Sequence, residues 1–190
     1  MLKKLFYVSL FSLILTTFTF AQSKTNEQIA AQIKRLNASK SIELIYNQAG
    51  GNTKIFARGE DFGREADKRA GVEGFSFGAA FFYANKTLTL APREINLTFW
   101  VVAKKPRFAE AHHLTVFAGG ETLDLGEARY VSKPKENMEY LNFTIAREVF
   151  AKIARFPAAR MKIGNSEFKF TAEHLKTFDA LAKISDPSVF

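Results

Sequence analysis

Few side chains in this sequence are suited to bond-making chemistry. Gly74-Phe75-Ser76-Phe77-Gly78 matches G-x-S-x-G, the sharp turn that presents a nucleophilic serine. Asp124 and His174 follow in the chain order that such a serine–acid–histidine triad uses. That turn requires a strand before the serine and a helix after it. Here a polar segment precedes Ser76 and a phenylalanine run follows, so Ser76 and Gly78 read as the small face of a strand. No catalytic residue is assigned.

His112 and His113 are adjacent, and neighbours on a strand point to opposite faces. Glu110 would share a face with His112, but two ligands do not make a metal site. Glu60, Asp61, Glu65 and Asp67 fit no EF-type calcium spacing, and Arg58, Arg64, Lys68 and Arg69 interleave with them. Cysteine is absent, which excludes disulfides, thiol nucleophiles and thiolate metal sites. No glycine-rich phosphate loop occurs. The reading assigns neither metal nor cofactor.

The remaining chemistry is charge. Lys and Arg number 27 against 19 acidic residues, a formal charge of +8. Such an excess favours anionic partners. Residues 58–74 are charged and lack any packing pattern, and a pattern-free loop of this length is usually functional or disordered. Residues 104–107 form a basic loop. The expected binding residues are therefore Arg58, Arg64, Lys68, Arg69, Lys104, Lys105 and Arg107. The expected partner is an anionic envelope component or another protein, not nucleic acid.

The envelope enters through the first residues. Lys3 and Lys4 precede an apolar run over residues 5–20, and Thr19-Phe20-Ala21 is a small-x-small site. This pattern predicts a secretory signal cleaved after Ala21, with the rest of the chain in the periplasm or outside the cell. The apolar run is shorter than the roughly 20 residues of a membrane span. Residues 22–40 read as a helical or linker segment and residues 41–190 as one domain.

The elements are organised around residues 94–103. Ile95, Leu97, Phe99 and Val101 alternate with Asn96, Thr98, Trp100 and Val102, which marks a strand with one fully apolar face. Its second face turns apolar at Trp100 and Val102, as if covered at that end. Residues 75–83 alternate similarly, with Ser76, Gly78 and Ala80 small enough to admit another backbone. Gly119-Gly120 and Gly164-Asn165 mark tight hairpins. Residues 132–139 read as a polar connector. Thr25 and Gln28 form a capping box ahead of a helix at 26–37. Residues 147–154 predict a short crossing helix, and Thr171 caps a last helix that Asp186-Pro187 ends.

The fold expected is a mostly-β, two-layer antiparallel sandwich of eight or nine strands, with an N-terminal, a crossing and a C-terminal helix. A transmembrane barrel is disfavoured, because the last element is a capped helix rather than a strand and most strands fall short of the 9–11 residues a span requires. The function expected is binding or structural. The alternatives are an envelope hydrolase acting on ester or glycan bonds, and a carrier holding an apolar ligand between the sheets.

Overall fold

In the computed structural model, residues 23–59 and 61–189 are described, and the predicted signal sequence lies outside them. The chain runs through β1 (Lys24–Thr25), α1 (Asn26–Arg35), β2 (Ile42–Asn47), β3 (Asn52–Arg58) and α2 (Arg64–Ala70). It continues through β4 (Gly74–Ala84), β5 (Thr87–Leu88), β6 (Glu94–Val102), β7 (His113–Ala118), β8 (Glu121–Glu127) and β9 (Arg129–Lys133). It closes with β10 (Met138–Ala146), α3 (Arg147–Arg155), β11 (Ala159–Ile163), β12 (Ser166–Lys169) and α4 (Ala172–Ile184).

Six strands in the order β2-β3-β4-β6-β10-β9 form one antiparallel sheet, and β12-β11-β7-β8 form a second. The short β1 and β5 pair separately. The expected mostly-β antiparallel fold forms with its three anticipated helices and a fourth, α2, and with more strands than the eight or nine anticipated. Both Gly-containing hairpins stand where the sequence places them, joining β7 to β8 and β11 to β12. No described helix is long and apolar enough to cross a membrane.

Period-two alternation gives the large sheet an inner face of Ile55, Phe75, Phe77, Phe81, Leu97, Phe99, Leu141 and Phe143, all buried. Two layers cover it. Towards one end lies the small sheet, where Phe168 on β12 stacks on Phe75 with ring centroids 4.2 Å apart. Elsewhere the helices cover it: Phe178 on α4 meets Phe77 edge-on at 5.2 Å and Phe150 on α3 at 4.8 Å. Helix α1 buries Ile29 and Ile33, following the capping box of Thr25 and Gln28.

Three local expectations need correction. Residues 58–74 are not a pattern-free loop. They hold α2, and Phe62 inserts among Phe75, Phe77, Phe168 and His174 at 5.1–5.3 Å. Ala66 and Ala70, one turn apart, bury the inner side of the helix. Residues 132–139 are not a connector. They contain the end of β9, a 3-10 turn at Pro134–Glu136 and the start of β10. Finally, Trp100 and Val102 have no element over them among the described residues; neighbouring side chains of the same sheet half-bury them.

Polar groups tie the N-terminal segment to the end of the chain. The Lys24 side chain is fully buried, and its Nζ donates to Gln32 Oε1 at 2.9 Å and to the Asp186 carbonyl at 2.5 Å. Burial lowers its pKa from 10.5 to about 8, against the opposing pull of Asp186. Nearby, Tyr83 donates its hydroxyl to Asn26 Oδ1 at 2.7 Å. Burial raises its pKa from 10.0 to about 12.

Stability should respond to both. Between pH 8 and 10 the unfolded chain holds more protons at Lys24 than the folded one, so stability climbs. Above pH 10 the folded chain keeps the Tyr83 proton that the unfolded chain loses, so stability falls. Urea unfolding from pH 7 to 11 should trace a maximum near pH 10. Lys24→Met should remove the rising limb and leave the falling one.

Candidate functional site

The outer face of the six-stranded sheet is where the fold leaves apolar surface uncovered. Phe82 is 49% exposed, Ile45 45% and Val131 39%. Strands β3, β4, β6, β10 and β9 contribute alternate residues to it. The pairing fixes which of them are neighbours: Trp100 stands between Ser76 and Tyr140, Thr98 between Gly78 and Asn142, and Asn96 between Ala80 and Thr144.

Small residues on β4 hollow this face. Gly78 and Ala80 leave the floor of a depression of about 390 Å³. Phe56 and Phe82 flank one side, and Asn96, Thr98 and Trp100 the other. Phe56 and Trp100 meet edge-to-face at 6.1 Å above Gly78. A β-carbon at Gly78 would lie 2.6 Å from the Phe56 ring and 2.7 Å from the Trp100 ring, so only glycine accommodates the pair as arranged. The small face thus admits aromatic side chains of its own sheet.

Beyond the aromatics runs a polar ladder. Thr98 donates to Asn142 Oδ1 and Thr144 to Asn96 Oδ1, each at 3.0 Å. Asn142 Nδ2 donates to the Arg129 carbonyl at 3.3 Å. Asn96 Nδ2 has no protein acceptor among the described residues. Cations bound the depression. Lys54 lies 4.5 Å from the Phe56 ring centroid and 6.0 Å from that of Phe82, and Arg129 lines the opposite side. No carboxylate lines it. The acids of this face lie elsewhere: Glu43 is paired with Arg58, and Glu94 begins β6.

A larger depression of about 640 Å³ lies at one end of the small sheet, beside Phe117, Gly119, Glu121 and Arg160. Of its three charged lining residues, Glu121 and Arg160 are ion-paired and Lys169 completes the set. Lys152 bonds Glu121 at 2.5 Å and Arg160 bonds Glu167 at 2.9 Å. Size alone does not make it the better site.

The residues expected from sequence to bind are dispersed. Arg58 ends β3 in its pair with Glu43. Arg64, Lys68 and Arg69 are exposed on α2, Lys68 beside Glu65 at 3.5 Å. Lys104 lies 3.5 Å from Glu73, Lys105 is exposed, and Arg107 Nε donates to the Ala70 carbonyl at 3.1 Å. Arg107 thereby joins the basic loop to α2, but the seven do not converge on one cavity.

Ser76 and His174 lie on opposite sides of the sheet. His174 is buried in the core, 4.9 Å from the inward Phe77 ring, and Ser76 is the adjacent outward residue. The third triad candidate, Asp124, lies with its Oδ1 2.7 Å from His113 Nε2 instead. His112 and His113 do reach a common acid, Glu127, at 3.6 and 3.1 Å. No group of three or more His, Asp or Glu able to hold a metal occurs among the described residues. No protein family matches the chain, and neither curated proteins nor solved structures provide a match, so these geometric features carry the functional reading.

Proposed function

We propose that this is an exported, non-catalytic binding protein whose working surface is the outer face of the six-stranded sheet. The observation that carries the reading is the depression over Gly78 and Ala80, where exposed Phe82, half-buried Phe56 and Trp100, an amide–hydroxyl ladder and two cations share one surface. The leader pattern of residues 1–21 supports export. The separation of Ser76 from His174 favours binding over ester hydrolysis.

Co-sedimentation with a cell-envelope fraction tests the assignment. A Phe56→Ala/Trp100→Ala variant should lose retention, roughly tenfold or more in affinity. A Lys104→Ala/Lys105→Ala variant should be retained like the parent. The reverse outcome would move the working surface to the basic loop.

A further inference from the structure

We infer that the ligand of this face is an acidic saccharide, a chain of sugar rings carrying carboxylates and lying across the strands. This deepens the surface assignment and rests on it. The aromatic groups supply the first reason. Phe56, Phe82 and Trp100 present ring surface at the depression, which suits the apolar face of a sugar ring.

The polar ladder supplies the second. The hydroxyls of Thr98 and Thr144 are used as donors within the sheet, leaving lone pairs that can accept from sugar hydroxyls, while Asn96 Nδ2 is available to donate. Donors and acceptors thus alternate at close spacing, as a polyhydroxylated chain requires.

Charge supplies the third. Lys54 on β3 and Arg129 on β9 stand four strands apart, about 19 Å across the sheet at the usual strand spacing of ~4.8 Å, and the register offsets them further by the four residues from Gly78 to Phe82 along it. Neither has a carboxylate partner in the depression. Carboxylates spaced along a ligand would meet one cation at each side. Nucleic acid fits less well, because its affinity comes from many phosphate contacts, whereas only Lys54 and Arg129 line the depression and Arg58 and Lys133 of this face are already paired with Glu43 and Glu136. A second copy of the chain docked face to face would bring the like charges of Lys54 and Arg129 together, while Glu43 on the same face is already paired with Arg58.

Fluorescence tests the inference, since Trp100 is the chain's single tryptophan. The purified protein is titrated with a short oligogalacturonate, with a neutral cello-oligosaccharide of equal length, and with inorganic polyphosphate. The inference predicts that oligogalacturonate shifts Trp100 emission and binds at least about tenfold more tightly than the neutral oligomer. Lys54→Ala/Arg129→Ala should remove that advantage, bringing the acidic and neutral oligomers to equal affinity. Circular dichroism of the variant confirms that it is folded.

Equal affinity for the neutral sugar would overturn the acidic class. Competition by polyphosphate as strong as by oligogalacturonate would reduce the face to a general anion patch and overturn it too. Concentration-dependent dimerisation that buries Trp100 would replace the saccharide with a second copy. If oligogalacturonate gives no response while envelope retention still depends on Phe56 and Trp100, the inference falls and the surface assignment stands. If retention is independent of both residues, the two fall together.

Discussion

Replacing Phe77 by alanine is expected to lower unfolding free energy by about 4 kcal/mol, the effect of emptying a phenylalanine-sized space in a well-packed core. Phe77 is almost fully buried. Its ring lies between both covering layers: Phe62 at 5.1 Å, Phe170 at 5.8 Å, His174 at 4.9 Å and Phe178 at 5.2 Å. These neighbours come from the α2 segment, the end of β12 and α4, so the cavity cannot be refilled by moving one element. Urea unfolding followed by far-UV circular dichroism measures the loss. A change below about 1 kcal/mol would mean that the layers do not meet at this ring.

The second large effect concerns Glu139. Its carboxylate is 2% exposed and accepts three hydrogen bonds: the Arg107 amide at 2.8 Å, the Phe108 amide at 3.0 Å and the Tyr130 hydroxyl at 3.0 Å. One side chain thus fixes the entry to the 104–112 segment and seats Phe108 against Phe75 at 5.8 Å. Glu139→Ala orphans two backbone donors and a phenol, which should destabilise the protein by about 3 kcal/mol. Glu139→Gln keeps one acceptor oxygen and should lose about half of that. Equal stability of Glu139→Ala and the parent would show that the segment is held by its apolar contacts alone.

Local signals made much of this fold readable. The Thr25–Gln28 and Thr171 caps, the tight turns at Gly119-Gly120 and Gly164-Asn165, and the strict alternation of β6 each depend on a few consecutive residues. What escaped the sequence depends on distant partners. Helix α2 has seven residues and buries two alanines, too weak a stripe to stand out among its charges. Glu139 looks like one more polar residue until β6 and β9 close around β10.

The candidate site was illegible for the same reason. Phe56, Gly78, Trp100, Asn142 and Arg129 come from five strands, and no spacing along the chain unites them. The strand order β3-β4-β6-β10-β9 assembles them. Trp100 was the available hint, since its apolar face was recognised from sequence. The inference that something covers it is where sequence reasoning went astray: no described element does.

Hydroxyl-radical footprinting of the protein bound to its envelope fraction tests the central claim most directly. Protection of Trp100, Phe82 and Tyr140 on the outer face, with α2 oxidised as in the free protein, is the expected result. Oxidation of Trp100 at the free rate while the protein stays bound would contradict the account.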